Sequence, residues 1–103
     1  MQNSQKKMKV RPTHPGAIIR EDVLPVLGMT RAEFAERLGV SLQSLSEVIE
    51  EEKPVSPEMA ARLGKLLATQ PESWLNMQME LDLWEIEQNP DVLAAVQPLD
   101  AAN

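Results

Sequence analysis

The sequence predicts an all-α fold of five short helices, and three observations lead there. Apolar residues recur three or four positions apart in five separate stretches, and nowhere do they alternate as in a half-buried strand. Each stretch opens on a helix-starting residue (His14-Pro15, Thr30, Ser41, Ser56-Pro57 or Pro71), and most close on Gly, Asn or Pro. The length, 103 residues, makes one small domain with a modest core.

Residues 1–13 are polar and basic without periodicity and read as a flexible arm carrying Lys6, Lys7, Lys9 and Arg11. His14-Pro15-Gly16 opens the first helix, since the N–H that proline lacks would have no partner in a first turn. Ile18, Ile19, Val23 and Leu24 form its apolar stripe, and it ends near Pro25 to Gly28. Thr30-Arg31-Ala32-Glu33 is a capping box, in which the Thr hydroxyl accepts from the Glu33 N–H and the carboxylate reaches back. The second helix buries Phe34, Ala35 and Leu38, and Gly39 stands where a left-handed residue is wanted. Ser41 caps a third helix with Leu45, Val48 and Ile49 inward, closed by Glu50-Glu51-Glu52 and Pro54. Ser56-Pro57-Glu58 starts a fourth, whose buried face is Met59, Ala60, Leu63, Leu66 and Leu67. The fifth runs from Pro71 to about Gln88 and stops at Asn89-Pro90, leaving residues 90–103 as an acidic tail.

That fifth helix is apolar on two sides. At about 100° per residue, Trp74, Met77, Leu81 and Trp84 share one face, and Leu75, Met79, Leu83 and Ile86 share the opposite one. Two apolar faces need two packing partners. One covers the chain's own core; the other expects a second copy in a two-fold dimer, in preference to a folded-back tail carrying Val92, Leu93, Val96 and Leu99. Since the pattern does not say which face is which, all eight residues are candidates for the dimer contact.

Composition removes whole classes of function. With no Cys there is no disulfide, thiolate zinc site or thiol nucleophile. A single His and no Tyr leave too little for most catalytic triads or His-rich metal sites, so His14 reads as a helix-opening residue. No apolar run approaches the length of a transmembrane helix or a signal-peptide core, and a cytoplasmic protein is expected. No Gly-rich phosphate loop, nucleophile elbow or paired acid/base constellation occurs; no enzyme, cofactor or metal is expected. The six Met residues fall mostly on helical apolar positions and read as core filling. Charge is divided: residues 1–65 carry all ten basic residues and nine acids, whereas residues 66–103 carry seven acids and no base. Any contact with a polyanion therefore belongs to the N-terminal part.

The second and third helices carry the functional signal. Inward Phe34, small Ala35 and Leu38, the turn Gly39-Val40, then anchors Leu45 and Val48 meet the steric needs of a helix-turn-helix. The chain also resembles the HigA-type antitoxins of the XRE/Cro-like, lambda-repressor-like helix-turn-helix group. The matching stretches are Pro12-Thr13-His14-Pro15-Gly16, Leu24-Pro25-Val26-Leu27-Gly28-Met29-Thr30, and Phe34-Ala35-Glu36-Arg37-Leu38-Gly39-Val40-Ser41. Lys53-Pro54-Val55-Ser56-Pro57-Glu58-Met59-Ala60, Trp74-Leu75-Asn76-Met77-Gln78 and Asp82-Leu83-Trp84 continue the match. The resemblance implies a homodimer that binds an operator palindrome in double-stranded DNA and neutralises a HigB-like toxin, a RelE-like mRNA interferase.

The third helix is expected to enter the major groove. There Gln43 can pair bidentately with adenine, Glu47 can accept from a cytosine amino group, and Leu42 can touch a thymine methyl. Ser44 and Ser46 are adaptable donors or acceptors. Arg31 and Lys53 flank the motif as phosphate clamps, with Arg20 and Arg37 as weaker candidates, and the helix N-termini at Thr30 and Ser41 offer backbone N–H groups. One departure stands out: the family usually has a neutral Asn-Gly-like turn after this helix, followed by basic residues, and this chain has Glu50-Glu51-Glu52. Low non-specific affinity and a shallow salt slope are expected. The alternatives are a stand-alone XRE-type regulator, or a partner-binding protein whose DNA affinity is weak or lost.

Overall fold

A computed structural model describes residues 10–99. The described residues form five helices and no strand. Helix α1 comprises Pro15–Ile18, a π-helical turn over Ile19–Val23 and a last turn over Leu24–Leu27. It is followed by α2 (Arg31–Leu38), α3 (Leu42–Ile49), α4 (Pro57–Leu67) and α5 (Pro71–Glu87), with a single 3-10 turn over Pro90–Leu93 beyond. The 1–9 part of the basic arm and the last four residues of the tail lie outside the described residues.

The expected caps are formed. His14 Nδ1 accepts from the Gly16 N–H at 2.8 Å. Thr30 and Glu33 make the reciprocal capping box at 3.1 and 2.9 Å. Ser41 Oγ accepts from the Ser44 N–H at 3.0 Å, and Ser56 Oγ from the Met59 N–H at 3.1 Å. Gly28 and Gly39 close α1 and α2 in the left-handed conformation, with φ 65° and 78°. In each case the following N–H reaches back five residues, Met29 to the Leu24 carbonyl and Val40 to the Ala35 carbonyl, which satisfies carbonyls a helix end leaves open.

The π turn was not foreseen, and Pro25 gives its reason. A proline ring inside a helix collides with the carbonyl four residues earlier, here that of Glu21, and widening the turn ahead of it relieves the clash. The Leu24 N–H accordingly donates to the Ile19 carbonyl, five residues back. Helix α1 thus carries its proline and continues to Leu27.

Phe34, Ile19, Leu45, Ile49, Leu63 and Ala60 are fully buried at the centre, with Ala35, Leu38, Val48, Val55, Met59, Leu24 and Trp74 around them. Every predicted inward residue of α2 and α3 is in this core, whereas Ile18, Val23, Leu66 and Leu67 pack at its edge. Helix α1 crosses α3 so closely that a Cβ on Gly16 would run into the Val48 carbonyl oxygen. Gly64 serves the α4–α5 corner similarly, because a Cβ there would lie 2.7 Å from the Thr69 carbonyl oxygen.

Candidate functional site

Helix α3 is held from behind and open in front. Leu45, Val48 and Ile49 anchor it, while Leu42, Gln43 and Ser44 in its first turn are exposed. A ridge at helical spacing carries exposed Gln43 and Glu50 with half-buried Glu47 between them, flanked by Ser44 on one side and half-buried Ser46 on the other. Ser41 and Ser44 also share a hydroxyl–hydroxyl bond of 2.9 Å, so part of their hydrogen-bonding capacity is spent on the cap. Thr30 is likewise engaged in its capping box at the exposed start of α2.

The expected phosphate clamps stand beside this ridge, but each is paired with a carboxylate belonging to it. Arg31 Nη2 lies 2.6 Å from Glu50 Oε2 and donates to it. Lys53 Nζ lies 3.6 Å from Glu47 Oε1, and Gln43 Nε2 is 3.4 Å from the other oxygen of the same carboxylate. The middle acid of the run is turned away from the ridge. Glu51 takes φ 65°, filling with a charged side chain a left-handed position that favours glycine. Its carboxylate meets Arg20 at 3.2 Å and Arg11 at 3.6 Å.

Two arginines on the margin of the site turn out to be structural. Arg20 Nη1 donates to the Ile49 carbonyl at 2.6 Å and closes the end of α3. Its guanidinium is held above its ordinary pKa by hydrogen bonds to Glu21 and Glu51. Arg62, which carried no expectation, donates to the Leu38 carbonyl at 2.9 Å and so fixes the turn between α2 and α3.

Behind the site, two polar side chains are buried. His14 is 4 % exposed, and burial pushes its pKa below the ordinary 6.5 despite the opposing influence of Glu51 and a hydrogen bond to the Lys53 backbone. Gln78 is buried with its Oε1 accepting from the Val55 N–H at 2.9 Å and its Nε2 donating to Asp82 at 3.0 Å. This amide joins α5 to the segment between α3 and α4. The sequence reading gave Gln78 no role, although a polar residue between Trp74 and Leu81 on an apolar face is the signal that marks it.

On α5 the two-faced pattern resolves into an inner and an outer side. Trp74 and Leu81 are buried within the chain and leave no surface for a partner, which corrects their place in the expected dimer contact. The Trp74 indole N–H donates to Thr69 Oγ1 at 2.9 Å. Met77 and Trp84 are half-buried on the same side, and the Trp84 indole N–H is enclosed without an acceptor among the described residues. The outer side shows exposed Met79, Leu83 and Ile86 and half-buried Leu75. Val92, Leu93, Val96 and Leu99 of the tail are exposed and do not cover it. Among the described residues, no helix is long and apolar enough to cross a membrane, and no group of His, Asp or Glu is placed to hold a metal ion.

Comparison with known proteins agrees with this geometry. A helix-turn-helix family model matches residues 27–74. An HTH-type transcriptional regulator of Haemophilus influenzae, itself uncharacterized, is 35% identical over 94 residues, which is 88% of each chain. Antitoxin HigA-1 of Vibrio cholerae is 34% identical over 80 residues, covering 78% of this chain and 75% of that protein. The solved structure of antitoxin GraA superposes with a TM-score of 0.81 at 39% identity, covering 88% of this chain and 100% of that one. GraA in complex with its operator gives 0.77 over 87% of this chain and 93% of that one.

Proposed function

The chain belongs to the XRE-type helix-turn-helix family that includes the HigA and GraA antitoxins, and on that premise we propose that it is a dimeric, operator-binding antitoxin. It represses its own operon and neutralises a HigB-like, RelE-like mRNA interferase. One observation carries the DNA half of this reading: the first turn of α3 is exposed over a fully buried anchor, with polar side chains on its outer ridge.

Each residue then has a physical role. Gln43 offers an amide matched to adenine, Leu42 an apolar tip for a thymine methyl, and Glu47 an acceptor for a cytosine amino group. Ser44 and Ser46 supply adaptable hydroxyls. Arg31 and Lys53 grip phosphates to set register, and the backbone N–H groups after Thr30 and Ser41 add to that grip. Met79, Leu83 and Ile86, with Leu75, form the dimer contact, and the base-free stretch from residue 66 onward suits a basic toxin.

The ion pairs of Arg31 and Lys53 favour a second reading, a toxin-binding protein with little DNA affinity of its own. Fluorescence anisotropy with the DNA upstream of its gene, over a range of salt, separates the two. Specific binding that is lost in Gln43→Ala and made less salt-sensitive in Lys53→Ala is the expected result. A folded protein that binds no such DNA at low salt supports the second reading instead.

A further inference from the structure

We infer that Glu50 is an affinity-limiting residue that competes with the DNA backbone for Arg31: its carboxylate neutralises the guanidinium that a phosphate would use. This rests on the DNA-binding reading above and adds to it a reason for weak binding that differs from simple repulsion by an acidic run. The three consecutive acids are not equivalent. Glu51 is turned inward to Arg20 and Arg11 and closes the fold. Glu52 is exposed and makes no ion pair among the described residues. Glu50 alone of the three reaches across to α2, the first helix of the motif, and takes Arg31, 19 residues away in sequence, at 2.6 Å.

Exchange follows from that contact. For Arg31 to grip a phosphate, Glu50 must let go, and the freed carboxylate then stands on the Gln43–Glu47–Glu50 ridge facing a polyanion. The exchange also blunts the dependence on salt. Each phosphate neutralised releases close to one condensed cation from DNA, but a freed carboxylate beside the phosphates is itself screened by cations and offsets part of that release. Glu47 repeats the arrangement more loosely with Lys53 at 3.6 Å.

The test compares Glu50→Gln with Glu52→Gln, which remove the same charge two residues apart, in the full-length protein, on upstream DNA and on a scrambled duplex. Both sites are exposed, and thermal melts monitored by circular dichroism establish that both variants fold. Glu50→Gln is expected to tighten binding to either duplex about five-fold, the most an exposed pair of this kind contributes, and to steepen the salt slope. Glu52→Gln is expected to change affinity less than about two-fold, the general effect of one exposed charge. In an Arg31→Ala background the advantage of Glu50→Gln should shrink to that of Glu52→Gln. Equal effects of the two Gln variants, or a Glu50→Gln gain that survives without Arg31, overturn the inference while leaving DNA binding standing. Absence of binding by every protein at the lowest salt overturns the DNA-binding reading itself, and this inference with it.

Discussion

Single atoms decide several features of this chain. Gly16 is the clearest, because a Cβ there would meet the Val48 carbonyl oxygen, a backbone atom that cannot swing aside. Gly16→Ala is expected to lower stability by about 2–3 kcal/mol, the upper part of the overpacking range, measured by urea denaturation. Burial disfavours the charged form of His14 in the folded state, with Glu51, Arg11 and Asp82 as its charged neighbours. The unfolded chain therefore takes up the proton first on acidification. Stability should be flat above about pH 7.5, fall as pH drops through the ordinary value of 6.5, and level off below the folded pKa. His14→Asn retains a capping oxygen without a titrating ring and should flatten that dependence between about pH 5.5 and 7.5 in melts across pH. Gln78→Ala would leave the buried Val55 N–H unpaired, at a cost of about 1–3 kcal/mol. How much of this was legible varied with range. The caps at Thr30, Ser41 and Ser56 join residues three apart and could be read from spacing. The Arg20–Glu51 and Arg31–Glu50 pairs join residues 31 and 19 apart, and only the packing of α1 and α2 against α3 brings them together.

Helices were easier to read than their faces. The pattern of α5 predicted two apolar sides, and the structure has two, but periodicity alone cannot say which side meets the core. Burial of Trp74, Gln78 and Leu81 answers that and leaves Met79, Leu83 and Ile86 outward. Leu83→Glu is therefore expected to shift sedimentation equilibrium toward monomer while helical content and melting cooperativity persist. Dimer persistence in that variant would point to another contact surface. Helix α1 shows the opposite case. Its span was legible from His14-Pro15 to Gly28, yet its π turn was not, since that distortion is the response of a continuing helix to Pro25 and not a preference of Ile19–Val23 themselves.

Taken whole, the chain separates its work along its length. The helices that share the core end at α5, and beyond them Pro90–Leu99 lies exposed. A stop after Asn89 should leave folding free energy within about 0.5 kcal/mol of the full chain, as for exposed sites generally, measured by urea denaturation. The charge division seen in the sequence also survives folding, but in altered form. Among the described residues, five of the seven basic side chains (Arg11, Arg20, Arg31, Lys53 and Arg62) make ion pairs with carboxylates of the same chain. The surface is thus less cationic around α3 than a count of residues 1–65 suggests.

The buried amide of Gln78 carries one more implication. It ties α5 to the stretch just past α3, which holds those two parts of a protomer at a fixed offset. Paired protomers would then act as a caliper whose jaws are set at the α5 seam. Fitting them to half-sites one helical turn apart, about 34–36 Å, would be a matter of seam geometry. Changes of operator spacing over evolution would be written in Leu75, Met79, Leu83 and Ile86, far from any base, while changes of operator letters would be written in α3.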